Sequence, residues 1–388
     1  MADRRILILD DDHELREFLT LISESQGFET LAVATFVELQ KAVGDFQPDM
    51  IILDLSLDDA DGVEVLRYLG VLESSAAVLL ISSFEERLLK SALNLGRSFG
   101  LNMLGNLQKP LKPGDVRAEL SKLPERSATV RENDLSSAIS DRLLSLHFQP
   151  KVSIKTGKVL SAEALVRWKD PERGTIMPDL FIALAERSGL IEPLTEIVLD
   201  LALKEATRWR DEGLDIAVAV NLSAASLTDL EFPTKVSNLL QATQLNPSRL
   251  ILEVTETTAM TDARITMDIL TRLRIKGVNV SLDDFGTGYS SLVELHRMPF
   301  SELKIDRSFV MDSGSDSDAR IIVEAILSLA QALGLKVVAE GVETKAHWDM
   351  LAALNCDMAQ GYYMSKPLPA DDFLAWVKNW HMEPASAE

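Results

Sequence analysis

The sequence holds a single cysteine, Cys356. No internal disulfide can form, which suits a reducing compartment and predicts a cytoplasmic protein. Cys356 follows an apolar stretch and reads as a buried, inert thiol. Long hydrophobic runs are missing too: no segment approaches the roughly 18 apolar residues of a membrane span, so none is expected. The start, Met1-Ala2-Asp3-Arg4-Arg5 and then a short apolar stretch ending in three aspartates, lacks the features of a signal peptide. Basic residues are in deficit, with 39 Lys and Arg against 60 Asp and Glu and a formal net charge of −21. Such a surface repels a phosphate backbone, so duplex DNA or RNA is a poor partner. A small anionic ligand is not excluded, because metal ions can supply local positive charge. The five histidines are scattered, and no His/Cys cluster offers a zinc site. There is no internal repeat, and no low-complexity tract beyond the short tail Pro384–Glu388.

What is present is enough apolar material for real cores. Hydrophobic residues make up 46% and charged residues 26% of the 388-residue chain. That length suits two domains, of about 120 and about 250 residues. The first part alternates apolar strands, Ile6–Leu9, Met50–Leu53 and Val78–Ile81, with amphipathic helices such as Glu14–Ser25. Uniformly apolar strands mark a parallel sheet buried on both faces, and a doubly wound α/β domain is expected over residues 1–122. Residues 123–134 are polar and charged and read as a linker, with helical periodicity resuming over Leu135–Leu146. The alternation restarts and runs to the end, with strands expected at Val159–Val166, Ile216–Leu222, Leu250–Val254, Val278–Leu282, Glu302–Ile305, Lys336–Ala339 and Met358–Gln360. About eight βα units over residues 135–382 predict a TIM-type (β/α)8 barrel.

Asp10 and Asp11 follow the first strand, and Asp54 follows Met50–Leu53. Ligands collect at the C-terminal ends of parallel strands, and three carboxylates there need a divalent cation, with Mg²⁺ suited to oxygen-only ligands. Ser82 ends Val78–Ile81, and Lys109 precedes Pro110. A lysine and a hydroxyl beside such an aspartate can neutralise and hydrogen-bond an aspartyl-phosphate. In this ordered set, residues 1–122 resemble a response-regulator receiver domain. The resemblance implies that Asp54 is the phosphoacceptor, Asp10 and Asp11 hold Mg²⁺ with it, Ser82 is the switch hydroxyl and Lys109 contacts the phosphoryl group. Two features depart from the family pattern. Asn106 stands where an aromatic is usual, and Leu95–Leu107 looks stretched and Gly-rich, which puts the usual aromatic relay to the output face in question.

The second domain sets polar residues at strand ends: Glu163, Asn221, Glu253, Asp283, Asp284, Lys304, Glu340 and Gln360, with Glu256 and Glu343 close by. Barrel enzymes keep their chemistry at that face. Carboxylates converging on one mouth demand cations, and their hard oxygens favour Mg²⁺ or Mn²⁺. Adjacent Asp283 and Asp284 would point to opposite faces inside a strand. If the strand ends there, both can turn to one site and bridge two metals roughly 3.5–4 Å apart.

The stretches Glu163-Ala164-Leu165, Asn221-Leu222-Ser223, Glu253-Val254-Thr255-Glu256, Asp283-Asp284-Phe285-Gly286-Thr287-Gly288-Tyr289-Ser290-Ser291, Leu303-Lys304-Ile305-Asp306, Glu340-Gly341-Val342-Glu343 and Gln360-Gly361-Tyr362 resemble the EAL family of cyclic-di-GMP phosphodiesterases. The resemblance implies that Glu163, Asn221, Glu253 and Asp283 bind a first metal, and Asp283 with Asp284 a second. By the same resemblance Glu340 contacts the metal-water cluster, Lys304 assists the nucleophilic water and Gln360 orients it or the substrate. Arg167 would hold a phosphate, Gln149 a guanine edge and Leu165 another part of the substrate. Glu256 and Glu343 would anchor the loop that follows Asp283. The expected activity is hydrolysis of cyclic-di-GMP to linear pGpG by a metal-activated water, in a homodimer or higher assembly controlled by a cognate sensor histidine kinase. The alternative is a non-enzymatic cyclic-di-GMP sensor or scaffold. No diguanylate cyclase signature such as Gly-Gly-Asp-Glu-Phe is present, and no DNA-binding module follows the receiver-like part.

Overall fold

The computed structural model describes residues 4–381 apart from 73, 75, 124–129, 172, 287–291 and 314–316. It divides into two compact units, Met1–Thr129 and Val130–Glu388.

The first unit is built on five parallel strands: β1 (Arg5–Leu9), β2 (Glu29–Val33), β3 (Met50–Asp54), β4 (Ala77–Ser82) and β5 (Asn102–Gln108), in the order β2-β1-β3-β4-β5. Side chains alternate across the sheet, so each apolar strand feeds two cores. Leu7, Leu9, Ile51, Leu53, Val78 and Leu80 pack beneath helices Phe36–Phe46, Gly62–Val71 and Glu86–Ser98. Ile6, Ile8, Met50, Ile52, Leu79 and Ile81 pack beneath helices His13–Ser25 and Pro113–Leu120. Asp12, third in the aspartate run, caps helix His13–Ser25 by accepting from the Glu14 and Leu15 N–H groups. The stretched segment Leu95–Leu107 is the end of helix Glu86–Ser98 followed by β5, whose register against β4 shifts between Val78 and Leu79.

The second unit is a closed eight-stranded barrel. Its chain-ordered strands are β6 (Leu144–Ser153), β7 (Val159–Asp170), β8 (Gly174–Ile176), β9 (Ala217–Asn221), β10 (Leu250–Thr255), β11 (Asn279–Phe285), β12 (Glu302–Ile305), β13 (Lys336–Ala339), β14 (Met358–Ala359) and β15 (Leu368–Pro369). The ring runs β6-β14-β13-β12-β11-β10-β9-β7 and closes through β6–β7; β8 and β15 only extend β7 and β6. Seven ring strands are parallel, and β6 runs antiparallel to both neighbours. The barrel thus opens with a hairpin rather than a βα unit. Helicity over Leu135–Leu146 is half right: a helix spans Glu132–Ser140, starting inside the stretch read as a linker, and β6 begins at Leu144. β6 escapes a hydrophobic-run criterion because Gln149 and Lys151 face the lumen while Phe148 faces outward. Phe148 packs edge-on against Trp209 with ring centroids 4.8 Å apart, and near Phe373. The main core lies between strands and surrounding helices. Inside the barrel, Ala217, Ala219 and Ile251 form a small separate apolar floor.

Candidate active site and phosphoacceptor pocket

In the first unit the strand ends place Asp10, Asp54 and Ser82 together, all buried. Asp54 is the last residue of β3 rather than the first beyond it. Carboxylate oxygens of Asp10, Asp11 and Asp54 lie within 4.8 Å of one another. Lys109, just past β5, donates to Asp54 Oδ2 at 2.7 Å and to Asp10 Oδ2 at 3.1 Å. Burial raises the Asp10 carboxyl pKa and Asp54 adds to this, while the Asp12 N–H and Lys109 oppose it. The Ser82 hydroxyl accepts from the Phe84 N–H at 3.1 Å, and its carbonyl accepts from the Lys109 N–H at 2.9 Å. Arg16, which no motif singled out, clamps the Asp10 carbonyl at 2.7 Å. Asn106 lies on β5 opposite Leu80.

In the barrel, Lys304 is the hub. Its ammonium, 1% exposed, lies 2.7 Å from Glu340 Oε1, 2.9 Å from Asp283 Oδ2, 3.1 Å from Glu253 Oε2 and 3.7 Å from Glu163 Oε2. Burial would lower its pKa, but the surrounding carboxylates outweigh burial and raise it well above the ordinary value. Glu163 is held on both oxygens, by Asn221 Nδ2 at 2.8 Å and by Gln360 Nε2 at 2.7 Å. Gln360 also donates to Gln149 Oε1 at 3.1 Å, and Gln149 donates to the Ser365 carbonyl at 3.2 Å. The buried Gln360 Oε1 has no hydrogen-bond partner among the described residues.

The two aspartates reach one site by a backbone turn. Asp284 has φ +55°, a left-handed conformation, and the β11–β12 register shifts between Leu282 and Phe285. The Asp284 N–H donates to Asp283 Oδ1 at 2.9 Å. Oxygens of Asp283, Asp284 and Glu340 then fall within 4.8 Å of one another. Burial raises the Asp284 pKa to about 6, helped by Asp283 and Asp306. Burial likewise raises Glu340 to about 8, against the pull of Lys304. Converging oxygens that resist ionisation fit a divalent cation, since charge compensation is what they lack.

Two glycines shape the rim. Gly341 has φ +70°, and a Cβ there would come within 2.7 Å of Arg307 Cβ. A Cβ at Gly361 would overlap the Val342 backbone, whose N–H donates to the Gln360 carbonyl at 3.1 Å. Glu256 Oε2 accepts from the Gly286 N–H at 3.1 Å, tying the start of the loop after β11 to β10's end. Residues 287–291 of that loop lie outside the described residues. Glu343 is exposed, and its carboxylate makes no hydrogen bond or ion pair among the described residues; its N–H meets His347 Nδ1 at 3.4 Å. Arg167 is buried and donates to the Val166 carbonyl at 2.8 Å, and Leu165 is half-buried.

Two charged residues in the lumen were missed by motif reasoning. Lys151 on β6 contacts Glu253 Oε1 and lies 3.2 Å from Glu302 Oε1. Burial would lower the Lys151 pKa, but Glu253 and Glu302 raise it. Burial would raise Glu253, but Lys151 and Lys304 bring it down to about 2. The signal was available in the period of two: Lys151 shares a strand face with Gln149, and Glu302 shares one with Lys304.

A doubly wound unit with an acid pocket, followed in the chain by a barrel with a carboxylate-ringed lysine at its mouth, is the arrangement expected of a receiver-linked EAL protein. Residues 132–367 match the EAL domain and residues 6–121 the response regulator receiver domain; the chain belongs to the EAL family and carries a receiver domain. Bifunctional diguanylate cyclase/cyclic di-GMP phosphodiesterase MucR of Pseudomonas aeruginosa is 48% identical over 63% of this chain and 36% of its own length. Cyclic di-GMP phosphodiesterase RocR of the same organism is 29% identical over 96% of this chain and 98% of its own length. The solved structure of the PaMucR phosphodiesterase in complex with c-di-GMP superimposes with a TM-score of 0.60 at 48% identity, covering 62% of this chain and 98% of that one. The chain spans about a third of the length of MucR and of some other relatives. Among the described residues no helix is long and apolar enough to cross a membrane.

Proposed function

We propose that this protein is a two-component response regulator that hydrolyses cyclic-di-GMP to linear pGpG at the barrel mouth. The observation that carries the reading is the Lys304 ammonium held among Glu253, Asp283 and Glu340, with Asp284 turned toward the same point. Glu163, Asn221, Glu253 and Asp283 would hold one divalent cation, and Asp283 with Asp284 a second, either Mg²⁺ or Mn²⁺, with Glu340 beside them. When bound, such cations supply Lewis acidity toward the phosphodiester and its attacking water.

The protein's own side chains supply the rest. Lys304, kept cationic, would donate hydrogen bonds toward the attacking oxygen and toward charge developing on the phosphoryl oxygens. Gln360 is fixed through Nε2 to Glu163 and Gln149, which leaves Oε1 to orient the water or substrate. Arg167 would take a phosphate, Gln149 a guanine edge and Leu165 a further substrate contact. Glu256, which holds the Gly286 N–H, would set the loop after β11; Glu343 is expected from the resemblance to help, but its exposed carboxylate touches none of the described residues of that loop. In the receiver, Asp54 would accept a phosphoryl group from a sensor histidine kinase, with Asp10 and Asp11 binding Mg²⁺ and Lys109 and Ser82 contacting the phosphoryl oxygens. Residues 1–122 and 135–382 would be the regulatory and catalytic parts. A cytoplasmic homodimer or higher assembly completes the reading.

The test is cyclic-di-GMP turnover by the full chain with Mg²⁺ or Mn²⁺, beside Glu163→Ala. We expect pGpG formation that chelation or the substitution abolishes. Tight cyclic-di-GMP binding with no turnover under any metal or phosphoryl-donor condition would make the protein a sensor instead.

A further inference from the structure

Beneath the metal-binding carboxylates the barrel lumen is polar where filled barrels usually stack branched aliphatic side chains. Lys151 enters from β6 fully buried, and its ammonium joins Glu253 Oε1 on β10 to Glu302 Oε1 on β12. Its long stem has room because at this level β9, the strand beyond β7 in the ring, turns the small Ala217 and Ala219 to the lumen. Ser161 lies beside Lys151 and Ser281 beside Glu302 in register, and both buried hydroxyls lack a partner among the described residues. A buried ion pair is seldom more stabilising than a well-packed apolar replacement, so core filling alone does not account for this layer.

The geometry at Glu253 does account for it. Its two oxygens are divided between two lysines, with Lys151 on Oε1 and Lys304 on Oε2 at 3.1 Å. Lys304 stands on the side of Asp283 and Glu340; Lys151 stands on the side of Glu302. Glu302 leaves the pair with Lys151 neutral, so the layer can grip Glu253 without changing the net charge of the site above. We propose that Lys151, braced by Glu302, is a positioning residue for metal binding: it fixes Glu253 Oε1 from below so that Oε2 faces the cation. This rests on the metal-site reading given above. Groups that hold a ligand from behind typically set metal affinity, and their loss costs about 10–100-fold.

The test is Mn²⁺ binding by the full chain, measured calorimetrically and by Mn²⁺ electron paramagnetic resonance. Wild type is compared with Glu302→Gln, Lys151→Met and the double substitution Lys151→Met/Glu302→Gln. The double variant removes the carboxylate that Lys151→Met alone would strand, so the result does not hang on the single variant folding; circular dichroism and thermal unfolding check the fold. We expect Mn²⁺ affinity to fall about 10–100-fold in the Lys151 variants and only about threefold or less in Glu302→Gln, whose amide oxygen still accepts from Lys151. Turnover of the double variant should recover toward the wild-type kcat at saturating Mn²⁺, which a merely structural defect would not allow. Mn²⁺ binding by the double variant that is as tight as wild type, or tighter, overturns the proposal. Failure of wild type itself to bind Mn²⁺ would instead overturn the metal site.

Discussion

Asp284 occupies a backbone conformation that side chains disfavour, and it does so to bring a second carboxylate beside Asp283. A non-glycine residue in the left-handed region costs about 1 kcal/mol, and repulsion from Asp283 in a buried setting adds to it. Asp284→Gly should therefore raise the melting temperature of the metal-free protein while abolishing metal-dependent turnover; a lower melting temperature would show that Asp284 is not strained. The acids there also set a pH dependence. Asp284 at about 6 and Glu340 at about 8 keep protons that the unfolded chain releases near its ordinary carboxylate pKa of about 4. Folded pKa values above unfolded ones mean that stability of the metal-free protein falls as pH rises from about 4 through 6 toward 8. Cation binding requires the deprotonated carboxylates, so it should weaken as pH drops through the same window. The melting-temperature gain on adding Mg²⁺ should accordingly be larger at the upper end of that window than at the lower, as differential scanning fluorimetry can show.

At the scale of elements, the antiparallel β6 and the crossing of the β13 and β14 loops decide the geometry. β6 brings Gln149 opposite Glu163 and Lys151 opposite Ser161, so a strand outside the βα rhythm supplies the guanine-edge candidate and the buried lysine of the lumen. The loop after β14 passes so close to Val342 that only glycine fits at 361, and this passage sets Gln360 against Glu163. Gly361→Ala should cost about 1–3 kcal/mol through overpacking. It should also lower kcat by displacing Gln360, which urea titration and steady-state kinetics read separately.

For the whole molecule, the two units have cores that share no residue: one in the barrel shell and two flanking the receiver sheet. Each can bury its own apolar surface, so residues 130–388 expressed alone should fold and hydrolyse cyclic-di-GMP. That fragment should ignore a phosphoryl donor. In the full chain, Asp54→Asn should remove both acyl-phosphate labelling and any donor-dependent change in turnover. An unaltered donor response in that variant would locate regulation away from Asp54.

The sequence alone determined the parallel strands and most of the ring of acids. Uniformly apolar runs have few alternatives to a doubly covered sheet, and a polar residue closing such a run can only emerge at one end of it. That logic pointed to Asp10, Asp54, Asn221, Asp283 and Gln360, whereas Glu163 and Lys304, which lie inside β7 and β12, were legible through the motifs around them. Tertiary structure decided what depends on neighbours distant in the chain. β6 was legible only through its pairing with β7 and β14. Lys151 meets Glu253 and Glu302 across 102 and 151 residues, a partnership no local spacing encodes. The left-handed turn at Asp284 likewise came from the structure, because nothing in an Asp-Asp pair says that the second, still within β11, will break the alternation of the strand. A strand's period is a local property of its backbone, whereas the partner of a buried charge is set by how the barrel closes.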